Sequence, residues 1–193
     1  GADGNFYGVA SGGGNFDGCL AAAFAGCGTI FRVTPAGRLT TLYAFCSETN
    51  CTDGELPNGL ILASDGNFYG TTEGGGIGGA DLGNGTVYKI TPTGTMTILH
   101  KFKGGGDGAN PYCQLAEGRD GALYGTTPDY GTGTVFRVTK DGLFTTSHYF
   151  QYGDDPAGPL VTGTDGNLYG TTEGGGDFGF GTVFSITDRK STR

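Results

Sequence analysis

The sequence predicts an all-β chain built as part of a β-propeller, from four-stranded blades of about 45–60 residues. Three observations predict it. An Asp-Gly-x-x-Tyr-Gly element starts at Asp3, Asp65, Asp120 and Asp165, at spacings of 62, 55 and 45 residues. A Gly-Thr-x-aromatic element follows each copy, starting at Gly28, Gly85, Gly133 and Gly181, at spacings of 57, 48 and 48. The segments around them are rich in Thr, Val, Ile, Phe and Tyr, which suit pleated, half-buried surfaces. Four short strands per unit at this period is the size of a propeller blade. A β-sandwich is the second choice. A β-helix fits less well, because its coils are shorter and lack paired hairpin turns.

Each element follows from local chemistry. In the clearest copy, strand A covers residues 59–64 and strand B covers 67–72. Asp65-Gly66 between them reads as a two-residue hairpin turn with positive φ at both positions. A glycine loop of variable length leads to strand C, residues 86–91. Its side chains alternate, Tyr88 and Ile90 on one face and Val87 and Lys89 on the other. Phe31/Val33, Phe136/Val138 and Phe184/Ile186 repeat the alternation. Pro92-Thr93-Gly94 is the next turn, with Gly supplying positive φ. Strand D covers 96–102, matched by 39–45 and 144–150. A last element, Asp-Gly-x-x-Pro, leads into strand A at Asp53 and Asp107, with a looser copy at Asp154-Asp155-Pro156.

Composition tests this reading. Of 193 residues, 42 are Gly and 7 are Pro. That level without a period would mark a disordered chain. Disorder comes with few aromatics, yet there are 13 Phe and 10 Tyr. The glycines therefore belong to the turns and loops of the repeat. They also argue against a helical bundle, since Gly costs about 1 kcal/mol in a helix interior. No stretch approaches the length of a membrane span. The net charge is -8, which disfavours a phosphate backbone as partner.

The five cysteines suggest an oxidising compartment. Cys19 with Cys27, and Cys46 with Cys51, read as two local disulfides in Gly-rich loops. Cys113 is left over. The strands parse as BCD, ABCD, ABCD and ABC, or blades 1–46, 47–103, 104–151 and 152–187 of one repeat domain. A basic, off-pattern tail, 188–193, follows. The ring is thus expected to be incomplete within one chain. Open sheet edges demand pairing, so a two-fold homodimer is expected to close it. A four-bladed monomer is the alternative.

The string Asp-Gly-Asn-Phe-Tyr-Gly-Thr-Thr-x-Gly-Gly-Gly, then Gly-Thr-Val-Phe-x-x-Thr-Pro-x-Gly, then Thr-x-Leu-x-x-Phe resembles the GloVer tandem repeat. This is the Gloeobacter/Verrucomicrobia-type repeat of secreted or surface-anchored bacterial proteins. The likeness covers nearly all of residues 3–187. The first copy departs from it at Val9-Ala10-Ser11, and the third at Pro128-Asp129-Tyr130 and Lys140-Asp141. The resemblance implies an extracellular or cell-surface bacterial propeller and no established activity. Function must be argued from sites.

The D–A and B–C loops of a propeller emerge on one face. That face is expected to carry Asp53, Asp107, Asp154 and Asp155 from the first set, and Glu73, Glu173 and Asp129 from the second. Converging carboxylates would suit Ca²⁺ or another divalent metal. A bound cation would activate water against an ester, lactone or phosphoester, with Glu73, Glu173, His100 and His148 as candidate catalytic groups. Each Asp-Gly also has a purely structural reading as a turn. The histidines share one repeat position, occupied by Tyr43 in the first copy, and packing is their simpler role. Tyr69, Tyr124 and Tyr169 offer faces to a glycan or to a neighbouring blade. No required cofactor, G-x-S-x-G elbow or credible Cys nucleophile is present. The leading expectation is an extracellular module that binds a glycan, small molecule or surface partner, or acts as a scaffold. A metal-assisted hydrolase is the second.

Overall fold

The computed structural model describes residues 1–16, 26–78, 83–128, 133–151 and 153–187. These form four antiparallel sheets of three or four strands, arranged as propeller blades with the ring incomplete. The first sheet is β1 (Phe6–Ala10), β2 (Thr29–Val33) and β3 (Leu39–Ala44). The second is β4 (Glu55–Leu62), β5 (Phe68–Gly74), β6 (Thr86–Ile90) and β7 (Met96–Lys101). The third is β8 (Ala116–Glu117), β9 (Leu123–Thr127), β10 (Thr134–Val138) and β11 (Phe144–Tyr149). The fourth is β12 (Pro156–Thr162), β13 (Leu168–Thr172) and β14 (Thr182–Ile186). Strand order within every sheet follows the sequence. Neighbouring blades approach along their early strands, β4 against β1 and β12 against β8 and β9.

The register explains the repeated motifs. The Gly of each Tyr-Gly sits directly opposite the aromatic of the next strand: Gly8 by Phe31, Gly70 by Tyr88, Gly125 by Phe136 and Gly170 by Phe184. The ring lies across the glycine, and a methyl there would run into it in all four blades. The two threonines that flank the B–C loop are also partners. Thr72 and Thr86 hydroxyls are 2.9 Å apart, Thr127 and Thr134 2.7 Å, Thr172 and Thr182 2.8 Å. These bonds close the mouth of the loop in the second, third and fourth blades; in the first, Ala10 faces Thr29.

Two details differ from the sequence reading. Strand β4 starts at Glu55 rather than at residue 59, because Glu55, Pro57 and Asn58 already pair with Gly74, Thr72 and Thr71. The ladder then shifts register before Ile61 pairs with Tyr69. The Asp-Gly turn is a four-residue turn closed by the Gly66 N–H on the Ala63 carbonyl at 2.9 Å. Only Gly66 has positive φ, at 80°. Asp65 stays in ordinary space because its carboxylate accepts the Asn67 N–H at 3.1 Å, a bond that shapes the turn locally.

Three apolar clusters lie between successive blades. The first joins Ile30 and Phe45 to Phe68, Tyr88 and Ile90. The second joins Tyr69, Val87 and Phe102 to Leu123, Phe136 and Val138. The third joins Tyr124, Val135 and Phe150 to Leu160 and Leu168. Tyr88 is fully buried, and its hydroxyl has no hydrogen-bond partner. Burial also pushes its phenol well above the ordinary range. The equivalent residues are Phe31, Phe136 and Phe184. An unsatisfied buried hydroxyl costs free energy that its removal recovers. Tyr88→Phe is therefore expected to stabilise the protein by about 1 kcal/mol, read as a higher urea midpoint. An equally large loss would show that the hydroxyl is bonded after all.

Cys46 and Cys51 form a disulfide. Cys27 is also disulfide-bonded; Cys19, its expected partner, lies outside the described residues, as do Asp129 and the tail 188–193. The Cys27, Cys46 and Cys51 sulfurs lie within 4.8 Å of one another. All three are oxidised, so they are not the thiolates a metal would need. Cys113 is free and buried, and burial raises its thiol pKa. No helix is long and apolar enough to cross a membrane among the described residues.

Candidate functional site

One end of the blades gathers residues from three sheets around a cavity of about 400 Å³. Its lining is Glu73, Asn110, Tyr112, Pro128, Asp155 and Glu173. That volume falls within the range of small-ligand sites. Two repeat positions build it. Glu73, Pro128 and Glu173 each follow the Thr-Thr of strand B, where the chain leaves β5, β9 and β13 for the B–C loop. Asn110 and Asp155 each precede the proline that leads into strand A, as Leu56 does in the second blade.

Those prolines are anchored on the preceding blade. Pro57 packs against Gly28, Pro111 against Gly85 and Pro156 against Gly133, each so closely that a methyl on the glycine would meet the proline ring. The residue beside the proline is thereby held at the blade junction. Asn110 takes positive φ, 50°. Its N–H donates to the Asn84 carbonyl at 2.8 Å, and its Nδ2 donates to the Glu73 carbonyl at 2.9 Å. The Glu173 N–H donates to the Asp155 carbonyl at 2.8 Å. Bonds to the Glu73 and Asp155 carbonyls thus tie both positions together and leave the carboxylates to the cavity.

The site is acidic. Glu73, Asp155 and Glu173 line it with no basic residue among the lining. Tyr112 senses them: burial raises its phenol pKa first, then the neighbouring Cys113, and the charges of Glu173, Asp155 and Glu73 add to the rise. Such a cavity favours hydroxyl donors and cations. Among the described residues, no three carboxylates bring oxygens within 4.8 Å of one another. The carboxylates therefore stand apart around the cavity rather than converging on one point. The donor set is nonetheless all oxygen, with the Asn110 amide oxygen beside three carboxylates, which is the chemistry Ca²⁺ takes.

The other acidic residues lie elsewhere. Asp53 is buried; its Oδ2 accepts the Tyr43 hydroxyl at 2.8 Å and the Ser47 N–H at 2.9 Å. Asp107 pairs with His100 Nε2 at 2.9 Å and accepts the Lys103 N–H at 2.9 Å. Both carboxylates fold their own D–A loop back onto strand D, where Tyr43 and His100 share one repeat position. Asp154 lies beside Gly175, outside the cavity lining. The His100 ring stacks on Phe144 at 3.6 Å. Its burial lowers the imidazole pKa although Asp107 pulls it up. His148 meets Phe150 edge-on at 4.8 Å.

The strand-B tyrosines lie toward the opposite end. Each donates its hydroxyl to the aspartate four residues earlier: Tyr7 to Asp3 at 2.7 Å, Tyr69 to Asp65 at 2.8 Å, Tyr124 to Asp120 at 3.3 Å and Tyr169 to Asp165 at 2.7 Å. Burial works against the Asp65 carboxylate, yet bonds from Asn67 and Tyr69 hold its pKa down to about 2. Tyr69 and Tyr124 are buried between blades, and Tyr169 is partly exposed.

Asn110, Tyr112 and Pro128 were not singled out by sequence reasoning. Aligning the Asp-Gly-x-x-Pro copies residue by residue would have found Asn110, because it shares a repeat position with Asp155.

Solved structures similar to the chain are propeller proteins. Virginiamycin B lyase from Staphylococcus aureus matches 84% of this chain with 50% of its own, at 21% identity and a TM-score of 0.56. The periplasmic gluconolactonase of Pseudomonas aeruginosa matches 80% with 46% of its own, at 18% identity and a TM-score of 0.56. A luciferin-regenerating enzyme matches 97% with 59% of its own, at 13% identity and a TM-score of 0.57. The chain therefore spans about half the length of these proteins. No curated protein matches it in sequence. The Gloeobacter/Verrucomicrobia repeat model matches residues 1–193, and the chain belongs to that repeat family.

Proposed function

We propose that the chain is an extracellular propeller module that binds a polyhydroxylated ligand, of the glycan class, in the cavity of Glu73, Asp155 and Glu173. The observation that carries this is the set of three carboxylates around Tyr112 in a cavity of about 400 Å³. Sugar hydroxyls donate well to carboxylates, and an aromatic face at the wall suits the apolar side of a sugar ring. The spacing of the carboxylates favours a ligand that bridges them over a bare ion. The disulfide at Cys46 and Cys51 and the repeat family support a location outside the cytoplasm.

A second reading is favoured by the gluconolactonase and lyase among the similar structures. In it Asp155 and Asn110, with one of the two glutamates, would hold a divalent cation. The cation would supply Lewis acidity and lower the pKa of a water, while the other glutamate, Glu73 or Glu173, would take the proton. Here a metal-assisted hydrolase would act on a lactone, ester or phosphoester.

Carbohydrate-array binding and lactone, ester and phosphotriester turnover, each with and without chelator, separate the two. The binding reading expects glycan capture that survives chelation and weakens at least tenfold in Glu73→Gln and Glu173→Gln, equivalent to about 1.4 kcal/mol. Turnover that disappears with chelation would overturn it in favour of the hydrolase. Neither binding nor turnover would reject both.

A further inference from the structure

The three carboxylates of the cavity have no cation beside them. Among the described residues, the ion pairs occupy Asp65, Asp107, Glu117 and Asp120. No described basic side chain pairs with Glu73, Asp155 or Glu173. Asp53, by contrast, is answered by the Tyr43 hydroxyl and the Ser47 N–H.

The imbalance extends to the whole end of the blades. Of the eight Lys and Arg among the described residues, six lie at the opposite end. Arg32, Lys89 and Arg137 are the fourth residues of β2, β6 and β10. Arg38 and Lys140 lie in C–D turns and Arg119 in an A–B turn. They stand among six acids, Asp3, Asp65, Glu117, Asp120, Asp141 and Asp165, so that end is balanced in formal charge. Three pairs close directly: Lys89 with Asp65 at 3.5 Å, Arg137 with Asp120 at 2.5 Å and Lys140 with Glu117 at 2.5 Å. The cavity end holds the other nine described acids with Lys101 and Lys103 alone. Charge of one sign gathered around a concave site draws in ligands of the other sign.

A neutral sugar answers the carboxylates with hydroxyls but leaves their charge uncompensated. An acidic sugar adds to it. A protonated amine supplies three donors, and each bond it makes to a carboxylate is charge-assisted. A cation is also attracted to an aromatic face, and Tyr112 is 40% exposed at the wall. We infer that the ligand of this cavity is a cationic glycan, an amino sugar whose protonated amines rest on Glu73, Asp155 and Glu173. The inference rests on the glycan reading above and names the sugar class within it.

Calorimetric titration tests it with two ligands, oligomers of β-1,4-linked glucosamine and the same oligomers fully N-acetylated. The pair shares a backbone and differs in charge. The glucosamine oligomer is expected to bind at least tenfold tighter. That ratio is expected to shrink as salt rises from about 0.01 M to about 1 M, where the screening length falls from about 30 Å to about 3 Å. It is also expected to shrink at least threefold in Glu73→Gln and in Glu173→Gln. Both glutamates are exposed, and thermal melts check that the variants fold. Asp141→Asn removes one charge at the opposite end and is expected to leave the ratio unchanged. A fall there as large as in the cavity variants would assign the preference to net charge and overturn the inference. Equal or tighter binding of the N-acetylated oligomer would also overturn it, while leaving glycan binding in place. A lysine oligomer that binds as tightly as the glucosamine oligomer would overturn the sugar assignment. Capture of no glycan at all would reject the glycan reading together with it.

Discussion

Gly85→Ala is expected to lower stability by about 4 kcal/mol, a large fraction of the stability of an ordinary domain. Gly85 takes φ of 87°. An L side chain in the left-handed region costs about 1–2 kcal/mol by itself. Steric contact adds the greater part of the loss. A methyl on Gly85 would overlap the Thr72 carbonyl oxygen and come within 2.9 Å of the Glu73 carbonyl oxygen and of Pro111 Cδ. Thr72 cannot yield easily, because its backbone and hydroxyl are both engaged with Thr86. Gly85 itself accepts the Phe102 N–H at 3.0 Å and donates to Gly75 at 3.1 Å. A shift there would break the junction between two blades at the edge of the candidate site. Gly66→Ala is the control: its φ is 80°, yet nothing lies within 4 Å of the added methyl. It is expected to cost only about 1–2 kcal/mol. Urea unfolding of both variants separates the cost of the clash from the cost of the backbone conformation. Equal losses would contradict the account of the blade junction.

Asp53→Ala is expected to cost about 3 kcal/mol. Asp53 is buried, at 1% exposure. Its carboxylate receives the Tyr43 hydroxyl and the Ser47 N–H, with a longer bond of 3.4 Å from the Glu48 N–H. Truncation leaves these part-buried donors without their acceptor and opens a void where the buried carboxylate sat, and unsatisfied donors carry a desolvation penalty. Tyr43 shows the strength of the pairing, since burial and then the Asp53 bond push its phenol pKa upward. Asp107→Ala is expected to cost less, because its side chain is 21% exposed and water replaces part of what it accepts. Both losses should be the same with and without chelator, measured as urea midpoints. A loss in Asp53→Ala that vanishes in chelator would instead make Asp53 a cation ligand.

The strands were legible because their signals are local. Alternation in residues 86–91 and the Pro-x-Gly and Asp-Gly turns each act within a few residues. The strands of all four sheets therefore came through in the right order. The start of β4 was less legible. Residues 55–58 look like a turn leader, and they become strand only because β5 extends to Gly74 and offers them a partner. The site was legible in part for a similar reason. Glu73, Asp155 and Glu173 reach one cavity because their repeat positions fall at one end of every blade. Asp53 and Asp107 occupy loops at the same end, but Tyr43 and His100 on the preceding strand capture their carboxylates. Nothing in the local spacing distinguishes the two outcomes. Tyr112 follows Pro111 and enters the cavity through a proline that packs on Gly85 of the previous blade, a contact that sequence spacing does not reveal.

The most direct test is a diffraction map of the cavity from crystals soaked with the best-binding oligosaccharide. The account predicts sugar density beside the Tyr112 ring, with hydroxyls on the carboxylates of Glu73, Asp155 or Glu173. Sugar bound instead at the opposite end of the blades, against Tyr69, Tyr124 or Tyr169, with the cavity free of it, would contradict the account.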